Sequence, residues 1–149
     1  MEGCAFCSIV AGQGPASFIH RDDVVVAFLS HQPVNRGHAL VVPREHVTCL
    51  AEMDEATGEH LFRVTMRVAA AIRRAATQYP ALRADAVRLV LSDGRAAGQE
   101  MMHVHMHVIP RYSGDGGRGG AMAGPRRASR ADLDATAEEI VRAYRELYR

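Results

Sequence analysis

Three histidines, His103, His105 and His107, stand two residues apart in the stretch GQEMMHVHMHVIPR, with apolar residues between them. Alternate residues of a β-strand project from the same face, about 7 Å apart, so a strand would bring the three imidazoles together. The intervening residues would then enter the core. Helical spacing would instead scatter the histidines around an axis. The pattern therefore predicts a strand that carries a polar site.

Several kinds of chemistry are open to such a cluster. The simplest alternative is three surface histidines on a half-exposed strand. A His-x-His pair on a strand is also a good bidentate zinc ligand. A neutral imidazole, whose pKa lies near 6.5, can attack phosphorus without prior deprotonation and form a covalent intermediate. The neighbouring imidazoles would then bind phosphate and fix the tautomer of the nucleophile. The three histidines in register favour the two functional interpretations.

Cys4 and Cys7 form a Cys-x-x-Cys pair close to the first residue. In a reducing compartment such a pair indicates metal binding or redox chemistry rather than a structural disulfide. Two unlinked buried cysteines are the structural alternative. Nothing around the pair is typical of thioredoxin-like redox sites. Zinc is favoured, because tetrahedral zinc takes four nitrogen or sulfur ligands.

Turn signals and apolar periodicity predict the elements that position these groups. Arg21-Asp22-Asp23 predicts a turn between two short strands, and His38–Pro43 predicts a buried strand. Asp54 is a candidate N-cap for a helix from about Glu55 to Gln78, which Pro80 ends. The positions of this helix that recur at helical spacing are Leu61, Val64, Val68, Ala71, Ile72 and Ala75.

The second half of the chain adds a strand in AVRLVLSDG, a glycine-rich stretch at 113–128 and an amphipathic helix at 131–147. We interpret the glycine-rich stretch as a flexible surface loop, with a lid over a site as the alternative. The apolar positions of the last helix are Leu133, Ile140, Val141, Tyr144 and Leu147. Strands outside one long and one terminal helix predict the α+β class with an antiparallel sheet.

Size and composition limit the kind of protein. The 149 residues are 48% hydrophobic and 23% charged, which is typical of one globular domain. A net charge of +1 argues against a nucleic-acid partner. The N-terminus has no signal-peptide pattern, and no apolar run approaches the length of a membrane span. We therefore expect a cytoplasmic protein with neither a membrane nor a nucleic acid as partner.

The sequence HVHMHVI at 103–109 resembles the signature of the histidine triad (HIT) superfamily of nucleotide hydrolases and transferases, in which histidines alternate with apolar residues. Four flanking segments also resemble bacterial members: CAFCSIVAGQGPA, VVAFLSHQPVNRGHALVVPREH, DGRAAGQ and IPRYSGDG. The resemblance implies a single HIT domain over residues 1–149. It also implies a five-stranded antiparallel sheet, a long central helix, a C-terminal helix and a homodimer joined along the long helix.

The resemblance assigns roles to individual residues. The middle histidine of the family is the nucleophile, which falls on His105; it becomes nucleotidylated at the α-phosphate before water releases the nucleoside monophosphate. His107 would hydrogen-bond the phosphate oxygens or the leaving group. Gly98 and Gln99 match a tight turn whose polar groups face the phosphates. The other positions that match the nucleotide pocket are Phe6, Ile9, Phe28, Ser30, His31, Ser92 and Glu100. Core packing explains the three apolar ones equally well, and His31 could stack on a base.

Three positions depart from the family pattern. Many members have an acidic residue at Ser30, where it holds the ribose hydroxyls, and asparagine or glutamine at Ser92, where it touches phosphate. Glu100 stands where a serine or threonine often contacts phosphate. A carboxylate there would repel phosphate unless it points away or pairs with Arg95 or Arg111. We therefore expect a nucleotide fit that differs from that of other members.

The resemblance also implies a set of metal ligands. Zinc-containing bacterial members use the cysteine pair, Cys4 and Cys7, a histidine at His46, and the first triad histidine, His103. Four protein ligands leave no open position for water, so the zinc would be structural. Cys49 is a less favoured substitute ligand.

Together these observations predict an enzyme. It would be a nucleotide-binding phosphohydrolase that acts on nucleoside phosphoramidates, adenylylated amines or dinucleoside polyphosphates, binding an AMP- or GMP-type nucleotide and forming a covalent intermediate on His105. One alternative is a zinc-dependent hydrolase whose metal activates water. The other is a nucleotide-binding regulatory or scaffold protein with little turnover.

Overall fold

A five-stranded antiparallel sheet carries helices on both of its faces. The structure, a computed structural model, describes residues 2–117 and 120–149. The strands are β1 (Phe18–Arg21), β2 (Val25–Leu29), β3 (Ala39–Pro43), β4 (Ala86–Val90) and β5 (Met106–Arg111). The helices are α1 (Ala5–Val10), α2 (Glu55–Gln78) and α3 (Arg130–Leu147). The strand order is β1-β2-β3-β5-β4. The predicted α+β class and five antiparallel strands are confirmed.

The long helix α2 has the predicted bounds, and all six predicted inward positions are buried. They pack with α3 against one face of the sheet, because an apolar stripe at helical spacing must be covered on one side. Asp54 occupies the N-cap position, but its side chain makes no capping hydrogen bond. The predicted N-cap position and the predicted start of the helix are therefore both confirmed.

The last helix, α3, starts at Arg130, one residue before the predicted position. Ser129 decides this start, since its hydroxyl accepts a hydrogen bond from the amide of Asp132 at 3.1 Å. Leu133, Ile140 and Tyr144 are buried as predicted. Leu147 is 41% exposed, because the helix ends there beyond the edge of the core.

A second apolar cluster covers the opposite face of the sheet. Phe6 of α1 packs there with alternate residues of β2 and β3, namely Val26, Phe28, Leu40 and Val42. The sequence interpretation did not predict α1, whose six residues are too few to show a helical period. Phe6 and Phe28, two of the predicted site residues, lie on this second face.

The histidine segment lies in the strand only in part. β5 starts at Met106, so His103 and His105 precede it and only His107 lies in the strand. The prediction of one strand that carries all three histidines is therefore wrong. The ladder with β3 ends where Val41 pairs with Met106. Upstream of that pair the chain leaves β3, and the amide of Val104 donates to the carbonyl of Val47 at 2.8 Å.

None of the helices in the described ranges has the length and apolarity that crossing a bilayer requires.

Candidate active site

A cavity of about 510 Å³ opens on the α1 face of the sheet. Its volume lies in the usual range for small-ligand sites. Every residue predicted to be catalytic or nucleotide-binding lines it. These residues are Phe6, Ile9, Phe28, Ser30, His31, Ser92, Gly98, Gln99, Glu100, His105 and His107. The fold therefore brings together positions from four separate parts of the chain.

The apolar wall of the cavity belongs to the second apolar cluster at the same time. Phe6 and Phe28 meet edge to face with ring centroids 5.7 Å apart, and both are buried. The His105 ring lies 5.1 Å from the Phe6 ring. Core packing and cavity lining, the two interpretations of these phenylalanines, are thus both true of them.

The tautomer of His105 follows from its hydrogen bond. Its Nδ1 lies 2.8 Å from the carbonyl oxygen of His103, which can only accept, so Nδ1 carries the proton. In the neutral ring Nε2 then keeps its lone pair. A lone pair at Nε2 in a cavity is what a nucleophile requires.

A chain of hydrogen bonds sets the tautomer of His107 in the same way. The amide of Val34 donates to Nδ1 of His38 at 3.0 Å, so the proton of neutral His38 sits on Nε2. That Nε2 lies 2.9 Å from Nδ1 of His107 and donates to it. The proton of neutral His107 is therefore on its own Nε2, ready to donate. His105 and His107 lie with ring centroids 5.0 Å apart, one as acceptor and one as donor.

Burial keeps these imidazoles neutral. It lowers the pKa of His107 to about 4, with the charges of His105 and Arg88 acting in the same direction. It lowers the pKa of His38 to about 3, assisted by His107. Burial also lowers the pKa of His105, against the hydrogen bond to His103. At neutral pH all three rings hold the tautomers described above.

The buried pair His38 and His107 makes stability depend on pH. Their pKa values are below about 6.5, the value expected in the unfolded chain, so unfolding takes up protons between that pH and about 4. The contribution of these two histidines to the free energy of unfolding is therefore fully present above about pH 6.5 and is lost as the pH falls toward about 4. We expect the two groups to add up to about 2.7 kcal/mol per pH unit near pH 5. Urea unfolding at several pH values measures this slope.

A His38→Gln variant is the control for the pH effect, because glutamine does not titrate. Its slope near pH 5 should be smaller than that of the wild type by about one proton, or about 1.4 kcal/mol per pH unit. Equal slopes in the two proteins would contradict the assignment of a neutral buried His38. Subtracting the slope of the variant from that of the wild type cancels the contribution of the titrating groups that the two proteins share.

The Gly98–Gln99 turn is built as predicted, but Gln99 uses its side chain inside the protein. Gly98 adopts a φ of +96°, a left-handed conformation that favours glycine. The buried amide of Gln99 accepts from the amide of Gly94 at 2.8 Å and donates to the carbonyls of Thr48 and Met101 at 3.0 and 2.9 Å. Gln99 therefore shapes the turn, and its predicted phosphate contact would require breaking these bonds.

The positions that depart from the family pattern also line the cavity. Buried Ser30 accepts a hydrogen bond from the amide of Gln32 at 3.3 Å. Glu100 is exposed at the cavity mouth. Arg111, one predicted partner for Glu100, instead binds Asp115 at 2.5 and 3.1 Å.

The glycine-rich stretch was predicted to be a surface loop, and its described residues are irregular and mostly exposed, with Gly124 buried. Arg118 and Gly119 lie outside the described residues. From residue 120 onward the chain crosses the cavity, and Met122 and Ala123 line it. Gly124 is buried, donates to the carbonyl of Gln32 at 2.9 Å and accepts from the side chain of Gln32 at 2.7 Å. The alternative interpretation, a segment over the site, fits Met122 and Ala123 as well.

Gly124 permits this close approach because it has no side chain. A Cβ atom there would stand 1.8 Å from the carbonyl oxygen of Pro33, a backbone atom that cannot move aside. We expect Gly124→Ala to push residues 120–128 off the cavity, with a stability loss of about 1–3 kcal/mol, and to weaken by about tenfold the AMP binding that the family resemblance implies. Calorimetric titration with AMP measures the first effect.

Gly120→Ala is the matched control, since a Cβ at Gly120 meets nothing within 4 Å. Its AMP affinity should equal that of the wild type. Normal affinity in Gly124→Ala would mean that the segment plays no part in holding the ligand.

The predicted metal ligands form one cluster beside the cavity. The ligand atoms of Cys4, Cys7, His46 and His103 all lie within 4.8 Å of one another. The Sγ atom of Cys7 is 3.3 Å from Nδ1 of His46 and 3.6 Å from Nδ1 of His103, and that of Cys4 is 3.5 Å from the latter. Sulfur and nitrogen ligands on a tetrahedral zinc stand about 3.6 Å apart, so these three distances match those that a zinc ion requires.

The tautomer of His103 supplies a second test of this fit. Its Nε2 lies 2.8 Å from the carbonyl oxygen of Pro43 and must donate to it. The lone pair of the neutral ring is then on Nδ1, which faces the two thiols. Such an outer hydrogen bond on the far nitrogen is usual for metal-binding histidines. Cys49 lies outside the cluster and bonds weakly to Glu52 at 3.6 Å.

Sequence interpretation missed several cavity residues, including Leu40, Met101, Met122, Ala123 and Arg130. Met122, Ala123 and Arg130 arrive through a long connection that no local pattern describes. An excess of small residues at 119–124 was the one available signal that the chain passes close to other backbone there.

Comparison with known proteins identifies the family of the chain. The HIT domain family matches residues 11–114. A HIT-like protein of Methanocaldococcus jannaschii is 38% identical over 113 residues, 76% of this chain and 82% of that protein. An adenylylsulfatase of Arabidopsis thaliana is 30% identical over 112 residues, 75% of this chain and 54% of that protein. The chain belongs to the HIT family, as its sequence resemblance indicated.

A solved structure is similar over nearly the whole chain. It is a zinc-bound histidine triad family protein from Mycobacterium smegmatis, 33% identical, with a TM-score of 0.79 and coverage of 97% of this chain and 95% of that one. The fold of the described residues is therefore the HIT fold.

Proposed function

We propose that the protein is a nucleotide-binding hydrolase that works through a nucleotidyl intermediate on His105. The observation that carries this proposal is the tautomer pair in the cavity: a lone pair on Nε2 of His105 beside an N–H on Nε2 of His107. The apolar wall at Phe6 and Phe28 suits a base, and the two histidines suit the α-phosphate. The substrate is a nucleoside 5′-phosphate that carries a second group on its phosphorus.

In the first step Nε2 of His105 attacks the α-phosphorus. A nitrogen–phosphorus bond forms, and the bond from phosphorus to the leaving group breaks, so the leaving group departs with the electron pair. The ring becomes cationic, and the carbonyl of His103, which accepts from Nδ1 at 2.8 Å, stabilises that charge. The N–H of His107 donates to a phosphoryl or leaving-group oxygen, where negative charge develops.

In the second step water attacks the same phosphorus. The nitrogen–phosphorus bond breaks, its electron pair returns to Nε2 of His105, and the proton of the water passes to solvent. The nucleoside monophosphate leaves with the oxygen of that water. No step needs an oxidant or a metal-bound water, and His105 ends in its starting tautomer.

The Cys4, Cys7, His46 and His103 cluster would hold zinc in a structural role. Four protein ligands leave no position for a water nucleophile, which argues against the zinc-dependent hydrolase alternative. His103 is both a ligand and the residue whose carbonyl binds His105. The ion would therefore fix the carbonyl that sets the tautomer of the nucleophile.

The substrate class can be determined with a panel of labelled compounds. The protein is incubated with adenosine phosphoramidate, diadenosine polyphosphates and adenylyl sulfate, the last because a relative is an adenylylsulfatase. Mass spectrometry of the acid-sensitive adduct and of the products then identifies the intermediate and the leaving group. We expect an adenylyl group on the peptide that contains His105.

The regulatory or scaffold alternative gives a different result with the same panel. It predicts that AMP binds but that no adduct and no product form, and the departures at Ser30, Ser92 and Glu100 are its motivation. An adduct on any residue other than His105 would also refute the proposed mechanism.

We further propose a homodimer joined along α2. Phe62 and Met66 lie four residues apart on one face of that helix and are 48% and 58% exposed, which is unusual for large apolar side chains at such spacing. We expect the double variant Phe62→Glu, Met66→Glu to be monomeric, with a mass half that of the wild type by light scattering. A monomeric wild type would refute the dimer. A control away from this face is Arg145→Glu, at an exposed position of α3, which should leave the mass unchanged.

A further inference from the structure

A second cluster of metal-binding side chains lies apart from the cavity. His20 comes from β1, Asp22 from the turn that follows it, and His60 from α2. The Nε2 atoms of the two histidines each lie 2.6 Å from the same carboxylate oxygen, Oδ2 of Asp22. One possible ligand atom from each residue lies within 4.8 Å of the others. None of the three lines the cavity or belongs to the first cluster.

We propose that His20, Asp22 and His60 form a second metal site, which binds a divalent transition metal ion such as Zn²⁺ or Co²⁺. Two imidazole nitrogens and one carboxylate oxygen are a donor set that such ions prefer over Mg²⁺ or Ca²⁺. Water completes the coordination. The site is therefore open, in contrast to the four-ligand cluster of Cys4, Cys7, His46 and His103.

The carboxylate at the centre of the site is held in place independently of the histidines. Oδ1 of Asp22 accepts from the amides of Val24 and Val25, both at 2.8 Å. These bonds turn Oδ2 toward the two imidazoles. Hydrogen bonds of this kind, made by the other oxygen of a ligating carboxylate, are the usual outer support of a metal site.

One of the imidazoles is also held by contacts outside the cluster. The ring of His20 lies against Tyr144 of α3, with centroids 5.5 Å apart. Tyr144 is itself buried in the core, and this contact limits the movement of the His20 ring.

A small adjustment converts the hydrogen-bonded cluster into a metal site. Binding needs each imidazole in the tautomer that frees Nε2, which moves a proton to Nδ1 without net release from a neutral ring. Nitrogen and oxygen ligands of one ion stand about 3.0–3.4 Å apart, so each 2.6 Å contact must open by about 0.4–0.8 Å. The side chains are 20–29% exposed, which leaves room for that movement and access for the ion.

The proposed ion would join two elements that otherwise meet only through packing and these hydrogen bonds. It would tie the β1–β2 turn to the first turns of α2, far along the sheet from the His105 cavity. Loss of the ion should therefore lower thermal stability and leave turnover unchanged.

The experiment uses the full chain, stripped of metal by a chelator and titrated with Co²⁺. Thiolate ligands give an intense charge-transfer absorption with cobalt, and nitrogen or oxygen ligands do not, so the two sites are distinguished in one spectrum. We expect about two cobalt ions per chain by elemental analysis, only one of which adds to the thiolate band.

His60→Gln is the test variant, because the glutamine amide still donates to Asp22 but ligates metal poorly. We expect it to bind about one cobalt ion with an unchanged thiolate band, and the lost site to be weakened by tenfold or more. Asp22→Asn should behave in the same way. Glu59→Gln, on the same helix turn and outside the cluster, should keep both ions. The proposal is overturned if the wild type binds only the thiolate-linked ion, or if His60→Gln keeps the second ion at wild-type affinity.

Discussion

Replacement of His105 by alanine is expected to abolish turnover while AMP still binds. Loss of a covalent nucleophile costs on the order of 10³- to 10⁶-fold in kcat, since the remaining groups can only orient water. The cavity keeps its apolar wall and the N–H of His107, so the Kd for AMP should stay within about threefold of that of the wild type. Single-turnover kinetics and calorimetry measure the two quantities separately.

His60→Ala is the control for this prediction, because that histidine lies outside the cavity. It should turn over at the wild-type rate and form the adenylyl adduct. An equal loss of AMP binding and of turnover in His105→Ala would show that His105 holds the ligand rather than attacking it. A variant that keeps substantial kcat would remove the covalent mechanism altogether.

Replacement of Cys4 by serine is expected to release the zinc and destabilise the protein. Structural zinc contributes folding free energy directly, and a serine hydroxyl is a poor ligand for it. A loss of several kcal/mol in a domain of this size lowers Tm by about 10–20 °C. We expect the variant to bind about one zinc ion per chain fewer than the wild type, measured by elemental analysis beside a thermal melt.

Cys49→Ser is the matched control, because Cys49 is the third cysteine and lies outside the cluster. It should keep the zinc and melt within about 2 °C of the wild type, as conservative changes outside such features usually do. If Cys49→Ser lost the zinc and Cys4→Ser kept it, Cys49 rather than Cys4 would be the ligand. A wild type without zinc in this cluster would end the hypothesis.

Elements with a strong repeating pattern were predictable from sequence. The bounds of α2 and its six inward positions are as predicted, because an apolar stripe over 24 residues leaves one orientation against a sheet. The β1–β2 hairpin is also as predicted, since the polar residues after Arg21 break two apolar runs. Short or irregular parts were not predictable in this way: α1 is too short for a period, and the histidine segment leaves its strand before Met106.

The candidate site also has features that local sequence patterns predicted and features that they did not. The types and spacing of its residues, together with the family resemblance, predicted eleven of the positions that line the cavity and the four side chains of the candidate metal cluster. The spacing of residues could not show that the side-chain amide of Gln99 makes three hydrogen bonds within the protein. Nor could it show that the backbone at Gly124 lies against the carbonyl of Pro33. The bond from Gln99 to Thr48 and the approach of Gly124 to Pro33 join residues far apart in the chain, so no local pattern encodes them.

By itself the sequence determined which side chains can do chemistry, because imidazoles and thiols at short spacing are a local property of the chain. The tertiary structure alone decided what each imidazole does. Three carbonyl or amide groups, those of His103, Pro43 and Val34, assign a proton to one nitrogen of each ring that they touch. In the proposed mechanism that proton determines whether a ring acts as a metal ligand, a nucleophile or a donor, and only folding brings the hydrogen-bond partner of each ring within reach.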